Sequence, residues 1–113
     1  MTVATITRDE LKARLDECAP TTIVEALGPI YYEDAHLPGA LNLPHDQVDA
    51  LAGALLPDKD ATIVVYCSNT ACQNSVVASR RLASLGYSRV LEYVEGKQDW
   101  IEAGLPVEHG RAA

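Results

Sequence analysis

The run Ile63-Val64-Val65-Tyr66-Cys67-Ser68-Asn69-Thr70-Ala71-Cys72-Gln73 decides the fold. Its first four residues are β-branched or aromatic, the composition of a buried strand. A cysteine follows at once, then small and polar residues, then a helical pattern from about Gln73 to Leu85. On that helix Ser75, Ala78, Leu82 and Leu85 share one side, and Arg80 and Arg81 lie away from it. Gly86 is the expected left-handed residue closing the helix. A thiol at the carboxyl end of a strand, facing a helix N-terminus, sits among backbone N–H groups that have no intrahelical partner. The partial positive charge there favours an anion, so Cys67 is expected to ionise readily, and the thiolate is the reactive form.

Working outward, Thr7-Arg8-Asp9-Glu10 reads as a capping box opening a helix that runs to about Glu17, with Leu11 and Leu15 inward. Ala19-Pro20 stops it, and Cys18 at its end is expected only to pack. Thr22 to Ala26 reads as a short strand broken by Gly28-Pro29, and Tyr31 to Asp34 as an irregular segment. Pro38-Gly39 marks a tight turn, followed by a short strand over Ala40 to Leu43. His45 to Leu55 has Val48, Leu51, Ala52 and Leu55 on one face, and His45 is expected to start that helix. Leu56 to Asp60 is a polar turn, and Arg89 to Val94 is another strand. Gly96 starts a turn, and Gln98 to Ala103 form a last helix closed by Gly104. Short strands alternating with helices define an α/β domain with a central, mostly parallel sheet flanked by helices on both faces. Ligands of such sheets bind beyond the carboxyl ends of the strands, where Cys67 falls.

The 113 residues suit one domain, 1–113, with a core of about residues 5–108 and a short C-terminal tail, 109–113, that includes His109. No apolar run approaches the ~18–20 residues of a membrane span. The N-terminus lacks the pattern of a secretory signal, so a cytoplasmic location is expected. Net charge is −7 and the nine basic residues are scattered, which argues against a nucleic-acid partner. Three cysteines, an odd number, fit a secreted disulfide framework poorly. No C-x2-C or H-x3-H spacing is present, so neither metal nor cofactor is expected.

These segments resemble the rhodanese homology domain. The resemblance rests on His36-Leu37-Pro38-Gly39-Ala40-Leu41-Asn42-Leu43-Pro44, on Val65-Tyr66-Cys67, on Leu82-Ala83-Ser84-Leu85-Gly86-Tyr87, and on Gly96-Lys97-Gln98-Asp99-Trp100 through Val107. It implies a sulfurtransferase in which Cys67 takes sulfane sulfur from a small donor as a persulfide and passes it to a thiol acceptor, a protein thiol among the candidates. Transfer of this kind needs a reactive thiol and a cradle of N–H donors; the backbone amides of Ser68, Asn69, Thr70, Ala71, Cys72 and Gln73 are the candidates.

Two positions depart from the family pattern. Cys72 stands where many members carry arginine, and Val24-Glu25-Ala26-Leu27 stands where Asp-Val-Arg is common. Both departures remove cations, which favours a persulfide or another weakly charged donor over the thiosulfate dianion. Cysteine phosphatases use a longer loop ending in arginine, so phosphatase chemistry is not expected. Cys72 has two readings: a resolving thiol that attacks an oxidised or sulfur-loaded Cys67, or a residue filling the first helical turn. Three functions therefore stand side by side: sulfur transfer, thiol redox through Cys67 and Cys72, and a non-catalytic module binding a partner or anion. His36 is expected to brace its turn, Lys97 to be solvated, and Asp99 and Glu102 to lie on a solvated helix face.

Overall fold

A computed structural model describes residues 3–110. Five strands, β1 (Ala4–Thr5), β2 (Thr22–Glu25), β3 (Leu41–Asn42), β4 (Thr62–Tyr66) and β5 (Arg89–Tyr93), alternate with five helices. The helices are α1 (Arg8–Asp16), α2 (Pro29–Asp34), α3 (Val48–Leu55), α4 (Asn74–Ser84) and α5 (Gly96–Glu102). The strands form one all-parallel sheet in the order β1-β5-β4-β2-β3, with β4 at its centre.

Because side chains alternate along a strand, a central strand covered on both faces must be apolar at every position. Ile63 and Val65 point to one face, where they pack with Val48 and Ala52 of α3 and Ala78 and Leu82 of α4. Val64 and Tyr66 point to the other, against Leu11 of α1, Tyr32 of α2 and Trp100 of α5. The chain therefore leaves β2 toward one face, through α2, and leaves β4 toward the opposite face, through α4. The carboxyl ends of these two neighbouring strands are thus where their helices part to opposite faces, the position at which ligands of such sheets bind.

The capping box is present: Thr7 Oγ1 accepts from the Glu10 amide and Glu10 Oε1 from the Thr7 amide. Thr7→Ala is expected to lower stability by about 1 kcal/mol, read as a shift in the denaturation midpoint. Leu11 is buried and Leu15 packs against the same cluster.

Several local expectations need correction. Tyr31 to Asp34 is helical, because Pro29 occupies a first-turn position of α2, where its missing N–H costs nothing. The helix expected from His45 starts at Val48, His45 and Asp46 forming a turn before it. Cys18 is exposed rather than packed, with φ of +55° just past the end of α1. The start of the expected tail is tied to the fold: the His109 ring bonds the Asp34 carbonyl and the Gly110 amide donates to the Glu33 carbonyl, just after Glu108 bridges antiparallel to His36. The remainder of that tail, 111–113, lies outside the described residues. Among the described residues no helix is long and apolar enough to cross a membrane.

Candidate active site

Cys67 follows β4 directly, and its sulfur is almost fully enclosed, at 1% exposure. The loop Ser68–Gln73 folds over it before α4 begins. The thiol faces the Cys72 carbonyl oxygen at 3.6 Å and Ser75 Oγ, in the first turn of α4, at 3.3 Å. Ser75 in turn donates to Glu92 Oε2 of β5 at 2.7 Å.

The expectation of a readily ionised Cys67 is not met in this arrangement. Burial pushes the Cys67 thiol up from its ordinary value, and its hydrogen bond to Cys72 pushes the same way, against a smaller opposite effect of Ser75. Cys72 behaves differently. Its burial opposes ionisation, but hydrogen bonds from Cys67, from the Asn74 and Ser68 amides and from the Ser68 hydroxyl outweigh it, and the thiol falls below its ordinary value. Burial thus dominates at Cys67, and hydrogen-bond donors together dominate at Cys72.

The amide cradle is also partly occupied. Asn69 Oδ1 accepts from the Ala71 amide at 3.0 Å, and the Asn69 carbonyl accepts from the Cys72 amide at 3.1 Å. Two of the six amides proposed from the sequence thus hold the loop's own shape. Gln73 precedes α4 without making a side-chain cap.

The loop is braced from below by α5, whose first amides donate to it: Lys97 N to the Cys67 carbonyl and Gln98 N to that of Ser68, each at 2.8 Å. Lys97 is not solvated, contrary to expectation. Its ammonium is buried and gives its three protons to Glu25 Oε1 at 2.9 Å, the Tyr31 carbonyl at 2.9 Å and the Ala35 carbonyl at 2.7 Å. Glu25 Oε1 also accepts from the Tyr66 hydroxyl, while Oε2 is buried without a hydrogen-bond partner among the described residues. Burial pushes the Glu25 carboxyl up, against the pull of Lys97 and Tyr66.

His36 has a bracing role. It is buried and stacked on Tyr32, with Nδ1 at 2.8 Å from the Tyr32 carbonyl. Asp99 does more than face solvent: it accepts from Tyr93 Oη at 2.7 Å and from Arg8 at 3.1 Å. Glu102 accepts from Gln98 at 2.8 Å.

A shallow depression of about 240 Å³ flanks the loop, lined by Asn69, Thr70, Gln98, Glu95, Asp99 and Glu102. Its three carboxylates make an acidic rim. A larger cavity, about 680 Å³, lies at the amino ends of β4 and β5 against Thr62 and Arg89, away from Cys67. Among the described residues no group of three or more His, Cys, Asp or Glu is placed to hold a metal ion.

The contacts of Ser75 and Glu92 were not anticipated. A signal for them exists in the sequence: Ser75 falls on the inward side of its helix, and Glu92 shares the alternation phase of buried Val90 on the face that α4 covers. Two polar groups at apolar positions of adjoining elements suggest a pair.

The chain is a parallel α/β sheet with a thiol at the end of its central strand, under a short loop leading into a helix. Comparison with known proteins places this arrangement: the rhodanese-like domain matches residues 7–103, and the chain belongs to that family. It is 34% identical over 105 residues, 93% of its length, to the HTH-type transcriptional regulator Rv0324 of Mycobacterium tuberculosis, and covers 45% of that protein. It is 36% identical over 62 residues, 55% of its length, to the thiosulfate sulfurtransferase PspE of Escherichia coli, covering 58% of it. The structure superposes on a thiosulfate sulfurtransferase from Pseudomonas aeruginosa with a TM-score of 0.84 at 27% identity, covering 96% of this chain and 20% of that one. The chain thus spans about half the length of the relatives whose sequences it matches.

Proposed function

We propose that the protein is a sulfurtransferase that carries sulfane sulfur on Cys67. The observation that supports this best is the position of Cys67 at the carboxyl end of β4, enclosed by a loop that α5 holds in place. In the reaction, the Cys67 thiolate attacks the outer sulfur of a persulfide R–S–SH. The S–S bond of the donor breaks, the donor leaves as its thiolate, and Cys67 holds the sulfur as a persulfide. An acceptor thiolate then attacks that outer sulfur and Cys67 returns as a thiolate. The two exchanges balance without an external oxidant or reductant. The absence of a loop cation and the acidic rim of Glu95, Asp99 and Glu102 favour a weakly charged persulfide over thiosulfate.

The test is intact mass after incubation with glutathione persulfide. A gain equal to one sulfur atom is expected in the native chain and is expected to vanish in Cys67→Ser. No gain in the native chain, or an undiminished gain in Cys67→Ser, overturns the reading.

The closeness of the two cysteines, with the Cys67 sulfur 3.6 Å from the Cys72 carbonyl oxygen, favours a second reading, a dithiol that closes to a disulfide. In that chemistry a Cys72 thiolate attacks a Cys67 persulfide and expels hydrosulfide, leaving the Cys67–Cys72 disulfide. Loss of two hydrogens from the chain after loading, abolished by Cys72→Ser, would mark it.

A further inference from the structure

The resting thiol of Cys67 faces the Ser75 amide as a backbone donor and otherwise acceptors. Its sulfur faces the Cys72 carbonyl at 3.6 Å, Ser75 Oγ at 3.3 Å and the Cys72 side chain. A carbonyl oxygen can only accept, and so can an ionised Cys72. Among the side chains here the Ser75 hydroxyl is the one fitted to donate to a Cys67 thiolate, in addition to the Ser75 amide. A serine hydroxyl has a single proton, and here it is given to Glu92 Oε2 at 2.7 Å, a charge-assisted bond roughly twice as strong as a neutral one. Ser75 is itself 1% exposed, so water cannot readily replace either partner.

We propose that Glu92 is a positioning residue which, acting through Ser75, holds Cys67 as a thiol by claiming the side-chain proton that could otherwise join the Ser75 amide in stabilising its thiolate. This rests on Cys67 being the reacting thiol. Cys67 ionises favourably when the Ser75 hydroxyl turns from the carboxylate to the sulfur, so a ligand that engages Glu92 would release the thiolate. Only a proton's allegiance changes; no heavy-atom bond is made or broken. The titratable groups facing Cys67 are Cys72 from the loop and, beyond Ser75 of α4, Glu92 from β5. The nearby ammonium of Lys97, on α5, is turned to Glu25 of β2 and to the α2 carbonyls.

The sign of the effect makes the proposal testable. A residue serving as a base for Cys67 would slow the thiol's reactions when removed; a residue holding it as a thiol would speed them. The measurement is the rate of Cys67 alkylation by iodoacetamide against pH, followed by site-resolved mass spectrometry so that Cys18 and Cys72 are counted separately. Glu92→Gln keeps the shape, weakens the grip on Ser75, and is expected to raise the rate at pH 7 by about tenfold, one unit in thiol ionisation, with the profile's midpoint moved to lower pH. Glu92→Asp keeps the charge but draws it back by one methylene, and is also expected to speed alkylation. In a Ser75→Ala background the Glu92→Gln change is expected to lose most of its effect.

An unchanged or slower rate in Glu92→Gln overturns the proposal. So does a native rate in Glu92→Asp, because the effect would then be that of charge alone; Glu92→Asp also decides the matter if Glu92→Gln fails to fold. Alkylation reads the thiol directly, so this result stands apart from whether Cys67 accepts sulfur from glutathione persulfide.

Discussion

Lys97→Met is expected to lower stability by about 3–5 kcal/mol, the usual consequence of leaving one member of a buried ion pair without its partner. Methionine matches the length of the lysine stem and removes three hydrogen bonds at once. Glu25, fully buried, is left beside an apolar group with the Tyr66 hydroxyl as its remaining donor. The carbonyls of Tyr31 and Ala35, at the end of α2, lose the ammonium that joined them to α5.

The penalty should depend on pH with a definite sign. Burial already pushes the Glu25 carboxyl up in the native chain, against the pull of Lys97, and without that cation it should rise further. A carboxyl whose folded value is raised favours folding while protonated, below its unfolded value of about 4.3. That stability is lost as pH rises through the raised folded value. Lys97→Met should therefore be least damaging in acid and most damaging near neutrality. Urea denaturation of both chains across pH 4 to 8 checks this, and a penalty independent of pH would contradict it. Glu25→Gln in the Lys97→Met background should return part of the stability at neutral pH, because it removes the unpaired charge.

How far the sequence could lead here depended on the range of the forces involved. The strand before Cys67, the helix after it and the Thr7–Glu10 cap are governed by neighbours within a few residues, and their patterns were legible. Pro29 misled because proline breaks a strand and starts a helix equally well, and only the packing of Tyr32 against the sheet distinguishes the two. Lys97 misled for a longer-range reason. A lone lysine after a strand is ordinarily solvated, and its partner Glu25 is distant in the chain. Parallel pairing of β2 with β4, placing Glu25 opposite Tyr66, brings that carboxylate beneath the cysteine loop. The loop itself was recognised, but not the use of its amides. Asn69 takes two of them to hold the loop's own shape.

The same dependence on contacts between distant segments makes Gly96→Ala a severe substitution. Gly96 has φ of +75°, a left-handed conformation that costs a residue with a Cβ about 1–2 kcal/mol. Gly104, with φ of +76° and nothing within 4 Å of an added Cβ, should bear little beyond that cost when changed to alanine. At Gly96 a Cβ would also lie 2.7 Å from the Cys67 carbonyl oxygen and 3.0 Å from the Asn69 amide nitrogen. Both are backbone atoms of the segment from Cys67 to Asn69, so no side chain can swing aside and the segment itself must move. The Lys97 and Gln98 amides that fasten Cys67 and Ser68 follow directly in the chain, and they must shift with it. A displacement of about 1 Å at a reacting group can cost on the order of a hundredfold in rate. Gly96→Ala is thus expected to lower the rate of sulfur loading on Cys67 by at least about tenfold, whereas Gly104→Ala should load at close to the native rate despite a similar conformational cost. Comparing the two variants, loading followed by intact mass and stability by urea denaturation, separates the contact from the backbone strain. Equal loading rates would mean that the loop can absorb the displacement and that the fit of α5 beneath Cys67 does not set the position of the sulfur.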